Sequence, residues 1–175
     1  MSWILVGKNG RRFMNEYDPY MQDTGHRGMD RVDPSQMGQP FVPCYMILDD
    51  EARQLYPLGQ TMFNDGDYEN YEWSQDNLKE VQNGLIRKAD TLEELAEMIG
   101  CPVEELTSTV ANWNKSCDAG VDELGRPPKS MVPMRQAPFY LAEVWPVVSN
   151  TQGGPVHDEK RRVVNAYGEP IPRLY

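Results

Sequence analysis

Residues 16–43 carry most of the side chains that could do chemistry in this sequence. The segment holds Tyr20, His26, Arg27 and further tyrosines and arginines, but shows little periodicity. Phenol, imidazole and guanidinium groups can donate hydrogen bonds, exchange protons or bind anions. A loop this long in a small domain is either functional or disordered, and its tyrosines and arginines favour the functional alternative.

Metal chemistry is not indicated by the remaining reactive side chains. The three cysteines, Cys44, Cys101 and Cys117, lie far apart, and the chain has only 2 histidines. No CxxC pair or mixed Cys/His spacing typical of zinc sites occurs. We therefore expect reduced thiols and no metal site.

Composition and charge limit the possible partners. The net charge of −10 argues against a nucleic-acid partner, which requires clustered positive charge. The acidic excess is typical of a solvated surface. Hydrophobic residues make up 39% and charged residues 25%, as in a globular domain. No apolar run approaches the roughly 20 residues of a membrane span.

The length of 175 residues predicts one domain with a modest core. Residues 1–6 are mostly apolar, but the stretch is too short for a signal peptide and lacks its basic flank. We expect no targeting signal within this chain, and the localisation of a longer parent protein stays open.

The elements that must position the loop begin with a hairpin and a strand. Residues 3–15 predict a hairpin that reverses at Asn9 and Gly10, both expected to supply positive φ angles. Residues 41–48 are mostly apolar and predict a strand buried on both faces.

Short helices are predicted next. Asp49 is expected to cap a helix over residues 50–56, and Ser74 to cap a second helix around residues 75–82. Residues 85–88 are a candidate for a short strand.

A helix hairpin is the clearest signal in the chain. Thr91 and Glu94 fit a capping box, and Gly100 is placed to end the first helix. Pro102 suits the start of a second helix. Its apolar residues recur at helical spacing and form one stripe, which predicts core: Val103, Leu106, Val110, Trp113 and Cys117.

The C-terminal part predicts a strand over residues 138–148, broken by Gly153 and Gly154, and a last hairpin over residues 156–164. Together these elements predict an α+β fold, in which a helix hairpin and short helices pack beside a small, mainly antiparallel sheet.

Several segments, in order along nearly the whole chain, resemble the soluble branch of the fumarate reductase and succinate dehydrogenase flavoproteins. That branch includes flavocytochrome fumarate reductases, urocanate reductases and 3-ketosteroid dehydrogenases. The similar segments are GRRFMNE (10–16), KADTLEELA (88–96), GVDELGR (120–126), NTQGG (150–154) and NAYGEPIPRLY (165–175). Leu124 stands where the family usually has Phe.

The resemblance implies that the chain is the cap (catalytic) domain, residues 1–175, excised from a larger FAD-binding oxidoreductase. The G-x-G-x-x-G fingerprint and the AAGE segment of that family are absent from this sequence. We therefore expect FAD in the full-length parent and none bound to this chain alone. The flavin domain of the same parent chain is the implied protein partner.

The reaction implied by the resemblance moves hydride between the flavin and a carbon–carbon bond next to a carbonyl or carboxylate. A proton moves to or from the neighbouring carbon, and the cap excludes water and supplies the proton-transfer group. The implied small-molecule partner is an unsaturated substrate.

Tyr20 occupies the position of the proton-transferring Arg of fumarate reductases, four residues beyond the Glu of the RFxNE run. Tyrosine does this work in steroid-type members, so Tyr20 and Arg27 are the candidate catalytic residues. Arg27 and His26 could lower the pKa of Tyr20 or bind a substrate carboxylate. The alternatives are a half-buried loop aromatic for Tyr20, a surface ion pair for Arg27 and a solvated residue for His26.

Asn150 replaces the substrate-binding His of the family's HTxGG turn. It can donate a hydrogen bond but carries no charge. Both replacements indicate a substrate other than fumarate. The turn further implies Asn150 and Thr151 as substrate-binding residues, and Gln152, Gly153 and Gly154 as residues facing the cofactor; for the paired glycines an ordinary turn is the alternative.

Other interpretations stay open at this point. The chain could be a non-catalytic module, derived from such a cap, that binds a small molecule or docks onto a separate flavoprotein. Glu16 either orients the loop or is a surface charge, and His157 is expected to be solvated.

Overall fold

A computed structural model describes residues 2–17, 28–35, 37–59, 71–146 and 153–175. One antiparallel sheet runs in the order β1-β2-β4-β3, with strands β1 (Ile4–Val6), β2 (Cys44–Asp49), β3 (Arg87–Ala89) and β4 (Phe139–Val144). The helices are α1 (Asp50–Arg53), α2 (Leu78–Gln82), α3 (Leu92–Ile99) and α4 (Val103–Ala119). This arrangement confirms the predicted α+β class.

The helix hairpin α3–α4 covers one face of the sheet. The Thr91 hydroxyl accepts the Glu94 N–H at 3.2 Å, and the Glu94 carboxylate accepts the Asp90 N–H at 2.7 Å. Gly100 ends α3 with a φ of 78°. The predicted stripe of α4 is buried at Leu106, Val110 and Trp113 and packs with strand residues such as Ile47 and Leu141.

The second face of the sheet is covered by α1, α2 and irregular segments. Leu48, Ala52, Ile86 and Tyr140 are buried there. Both faces of β2 are covered, as its apolar sequence predicts, because Ile47 packs with the helix hairpin on one face and Leu48 packs with α1 and its neighbours on the other. The predicted cap at Asp49 is confirmed, since its carboxylate accepts the Ala52 N–H at 3.0 Å.

The predicted cap at Ser74 is wrong. The helix begins at Leu78, after Asn77, while the Ser74 hydroxyl donates to the buried carboxylate of Glu80. The amide of Asn77 accepts from the Leu58 N–H and the Trp73 indole and donates to two carbonyl groups. These tertiary contacts fix Asn77 just before the helix and override the local signal at Ser74.

The N-terminal hairpin is shorter than predicted. Its second arm pairs through a single bridge, Val6 to Arg12. Of the two turn residues Asn9 and Gly10, Gly10 alone has a positive φ, of 75°. Asn9 contributes through its side chain, which accepts the Arg11 N–H at 3.1 Å. The arm leaves the sheet because Arg12 is drawn into a cluster of charges and Phe13 stacks on Phe41, with ring centroids 4.1 Å apart.

The C-terminal elements are also brief. β4 ends at Val144, and the last hairpin is a single bridge between His157 and Val163 that turns after Asp158, close to the predicted place. Within the described ranges, no helix combines the length and apolar character that a membrane crossing needs.

Candidate functional site

A buried cluster of four charged residues joins the N-terminal hairpin to the loop after α4. The Arg12 guanidinium donates to Glu16 at 2.7 and 2.9 Å and to Asp122 at 2.5 and 3.2 Å. Arg126 donates to Glu16 at 3.2 Å. The side chains of these four residues, here called the ion cluster, are at most 7% exposed.

The surroundings of the ion cluster make its burial tolerable. Two guanidinium groups balance two carboxylates, so the charges are paired. The guanidinium carbons of Arg12 and Arg126 lie 4.6 and 4.9 Å from the centroid of the Trp113 ring, within the range of cation–π attraction. The apolar stripe of α4 therefore also supports these charges.

The ion cluster closes the outer edge of β1. The Glu16 carboxylate accepts the Leu5 N–H at 3.1 Å, and the Arg126 guanidinium donates to the Trp3 carbonyl at 2.7 Å. An edge strand presents such backbone groups unpaired, and each would cost free energy if buried without a partner. Side chains here take the place of a further strand.

Electrostatics holds Arg12 and Asp122 in their charged forms. Burial alone would raise the pKa of Asp122, but hydrogen bonds from Arg12 and from the Arg126 N–H outweigh it and bring the pKa below its usual value. Burial alone would lower the pKa of Arg12, but the carboxylates of Glu16 and Asp122 raise it. Burial lowers the pKa of Arg126.

Gly28, the first described residue after the segment 18–27, is closely packed. A Cβ atom on Gly28 would lie 3.0 Å from the Cβ of Met14 and 3.3 Å from the Phe13 ring. The next residue, Met29, is buried. Residues that precede the segment therefore contact the residue that follows it.

The apolar contacts at this place form the loop-base cluster. Its buried members are Leu5, Met29 and Cys44, and the partly buried side chains packed on them are Trp3, Phe13, Met14, Val42, Met46 and Val144. Val144 ends β4, shortly before residues 147–152. The loop-base cluster thus packs Val144, which precedes one segment with predicted site residues, together with Met14, which precedes the other, and Met29, which follows it.

Gly153 and Gly154 follow the second of these segments. Their φ angles of 132° and 145° are rarely adopted by residues with a side chain, and nothing lies within 4 Å of an added Cβ. They line a cleft of about 460 Å³ together with His157, Val163 and Tyr175. His157 is exposed, as expected for a solvated residue.

Comparison with known proteins shows the family. The chain matches the family described as FAD binding domain over residues 2–175. It belongs to the FAD binding domain family. The predicted resemblance to flavoproteins is therefore confirmed at the level of this family.

The sequence is similar to those of known flavoproteins over nearly its whole length. It is 35% identical to the NADH:acrylate oxidoreductase of Vibrio harveyi over 99% of its length, and 28% identical to the 3-oxosteroid 1-dehydrogenase of Mycolicibacterium smegmatis over 98%. It spans 15% and 32% of those two proteins. A flavocytochrome c3 fumarate reductase structure shares the fold, with a TM-score of 0.64 at 23% identity over 99% of this chain and 26% of that one.

Most predicted site residues lie outside the part of the chain that the structure describes. These are Tyr20, His26, Arg27, Asn150, Thr151 and Gln152. Their assigned roles in this family member stay predictions, while Gly153 and Gly154 are described and border the cleft.

The sequence did not predict that the four residues of the ion cluster meet. Two of them lie in the GRRFMNE segment and two in the GVDELGR segment, both of which resemble the family. The signal available was the opposite charges four residues apart in each half, Arg12 with Glu16 and Asp122 with Arg126. Spacing cannot show that the two halves meet, because 110 residues separate Arg12 from Asp122. Of the two alternatives for Glu16, a surface charge is excluded, since its side chain is buried.

Proposed function

We propose that this chain forms the cap domain of an FAD-dependent oxidoreductase that reduces or desaturates a carbon–carbon bond next to a carbonyl or carboxylate. The loop-base cluster carries the proposal, because it packs together residues that flank, in sequence, the two segments with the proton-transfer and substrate-binding candidates. The names of the relatives, an acrylate oxidoreductase and a 3-oxosteroid dehydrogenase, support this class of bond.

The described residues fit the ring system of a flavin but offer no site for its pyrophosphate. Gly153 and Gly154 are exposed, and the open space above their backbone would admit a flat ring at close approach. With Gln152 they would face the cofactor. When bound, FAD supplies the hydride exchange with the substrate carbon. The pyrophosphate of FAD has no glycine-rich fingerprint in this sequence to hold it.

Tyr20 is the proposed proton-transfer group. Its phenol oxygen gives a proton to the carbon next to the hydride-accepting carbon in the reductive direction, and takes one in the oxidative direction. Arg27 is the proposed cation of the same segment, and a guanidinium beside a phenol favours its phenolate form.

Asn150, Thr151 and His26 are the proposed substrate-binding residues. Asn150 and Thr151 offer neutral hydrogen bonds, and His26 can add a charge only when protonated. Side chains of these types favour a carbonyl or a single carboxylate over a small dicarboxylate. The proposed substrate is therefore an enoate or enone other than fumarate.

The proposed partner of the cap is the flavin-binding part of a longer chain. Exposed apolar side chains gather near the C-terminal end: Val156 is 73%, Tyr167 89% and Tyr175 81% exposed, with Ile171 and Leu174 between them. Exposed apolar side chains that come together on a surface favour association, and these are the proposed contacts with the flavin-binding part. We name these five residues the C-terminal apolar surface.

A second candidate is a non-catalytic module that binds a small molecule or docks onto a separate flavoprotein. The cleft of about 460 Å³ beside Gly153 and Gly154 supports it, because a cleft can hold a ligand without any reaction.

The test is a substrate screen of the full-length protein with reduced viologen as electron donor, over acrylate, aryl acrylates, fumarate and a 3-ketosteroid. We expect turnover of an enoate or enone, and a Tyr20→Phe variant that loses far more kcat than substrate affinity. Tyr17→Phe, three residues away, is the matched control and should keep its kcat. Binding of these compounds without turnover would favour the second candidate, and unchanged kcat in Tyr20→Phe would remove Tyr20 from the mechanism.

A further inference from the structure

We propose that the ion cluster is a positioning site for proton transfer, with Glu16 as its central residue. It holds residues 11–17 in one orientation on the edge of the sheet and thereby fixes where the chain that carries Tyr20 begins. This inference rests on the proposed role of Tyr20.

Glu16 has the contacts that such a role requires. Its carboxylate accepts hydrogen bonds from Arg12, Arg126 and the Leu5 N–H, which come from three separate parts of the chain. Tyr20 follows Glu16 by four residues, and four residues of chain span at most about 14 Å. The position of Glu16 therefore limits where the reacting group can lie.

The residue that follows the segment 18–27 packs against the stretch that the ion cluster holds. Gly28 follows Arg27 directly and packs against Met14, two residues before Glu16. Because Gly28 has no side chain, its backbone can approach Met14 more closely than a residue with a Cβ could. In sequence, Tyr20 and Arg27 therefore lie between the stretch held by the ion cluster and a glycine that packs against that stretch.

A role in closing the sheet edge alone explains only half of the ion cluster. The edge needs an acceptor for the Leu5 N–H and a donor for the Trp3 carbonyl, which Glu16 and Arg126 supply. It has no need of the further buried charges of Arg12 and Asp122, which lose hydration on burial. These charges add hydrogen bonds with a defined geometry, since the planar guanidinium of Arg12 donates to both Glu16 and Asp122. Such geometric restraint suits a segment whose reacting atoms must be placed to within about 1 Å.

A double-mutant cycle in the full-length protein tests the inference. Glu16→Gln keeps the shape of the side chain and removes its charge. We expect its kcat to fall by about 10- to 100-fold with little change in KM, because misplacement by about 1 Å costs rates of this order. In a Tyr20→Phe background the same change should lower kcat by no more than about twofold, since the group being positioned is gone.

The matched control is Glu105→Gln. It breaks the exposed pair between Arg11 and Glu105, which lies next to the ion cluster, and should leave kcat unchanged in both backgrounds. Equal losses from Glu16→Gln in both backgrounds would overturn the positioning role and leave only a structural one.

Hydrogen exchange of this chain gives a readout that does not need activity. In Glu16→Gln we expect the amides of Tyr17, Gly28 and Met29 to exchange about tenfold faster or more, with those of β2 and β4 unchanged. Uniform acceleration, or none, would overturn the inference. If Tyr20→Phe keeps full kcat, the proposed function fails, and the exchange pattern still decides whether the cluster anchors the segment.

Discussion

Arg126 shows how one residue can serve both fold and site. Its buried guanidinium donates to the Trp3 carbonyl, to Glu16 and to the Ser130 carbonyl, so it connects β1, the N-terminal hairpin and the 3₁₀ turn Pro128–Ser130. A buried cation with these contacts is costly to lose, because its partners stay buried without it.

Replacement of Arg126 by Ala should lower the free energy of unfolding by about 3–5 kcal/mol, since it leaves Glu16 with one cation fewer and the Trp3 carbonyl without its donor. Urea denaturation measures this loss. Arg135→Ala is the matched control: Arg135 pairs with Asp118 at 2.6 Å, but both side chains are more than half exposed, and the loss should stay below about 1 kcal/mol. Similar losses in both variants would contradict the energetic role of burial.

Asp122 predicts a specific dependence of stability on acid. Its native pKa lies below the usual value, so its carboxylate stabilises the folded state above the unfolded pKa of about 4. That contribution is lost as the pH falls through the lower native pKa. Asp122→Asn should therefore be clearly less stable than the parent at pH 7, with the difference shrinking towards pH 2. An equal difference at both pH values would count against this assignment.

At the scale of elements, α3 is specified almost entirely by local signals. Thr91, Glu94 and Gly100 place its two ends, and the structure has them where the sequence predicts. The short α2 is the contrasting case, since tertiary hydrogen bonds to Asn77 set its start. Local capping is decisive only where no stronger contact competes for the same residue.

Removal of the cap at Thr91 should cost about 1 kcal/mol, because Thr91→Ala leaves the Glu94 N–H without its acceptor. Thermal or urea denaturation gives the value. Thr107→Ala is the control, since Thr107 is an exposed interior residue of α4 and alanine is the better helix former, so this variant should be slightly stabilised. A loss in Thr107→Ala as large as that in Thr91→Ala would contradict the capping argument.

At the scale of the whole molecule, exposed apolar side chains are concentrated near the C-terminal end. The segment 153–175 contributes Val163 to the buried residues and leaves Tyr167 and Tyr175 largely exposed. An apolar surface of this kind favours association with a partner.

The C-terminal apolar surface should make the isolated chain bind a hydrophobic dye or self-associate. The double replacement Tyr167→Ser and Tyr175→Ser should reduce both effects, because it removes two large exposed rings without touching the core. Dye fluorescence and light scattering measure them. Met37→Ser is the control, since Met37 is 92% exposed but lies outside this surface; an equal reduction there would contradict the assignment.

This chain alone should be colourless after purification and should not reduce an enoate with reduced viologen. The expected reason is that the sequence has no glycine-rich fingerprint for the pyrophosphate of FAD. An absorbance spectrum of the purified chain, before and after incubation with FAD, is the measurement. A yellow protein with the bands of bound flavin would contradict the prediction.

The sequence by itself determined the class of fold, the helix hairpin and the double burial of β2, because periodicity and caps act within a few residues. Its ordered motifs also indicated the flavoprotein family. Only the tertiary structure decided that Arg12 and Glu16 meet Asp122 and Arg126, that Gly28 packs on Met14, and that the ion cluster closes the outer edge of β1. These contacts join residues far apart in the chain, and their partners are selected by shape, charge balance and burial, which no local pattern encodes.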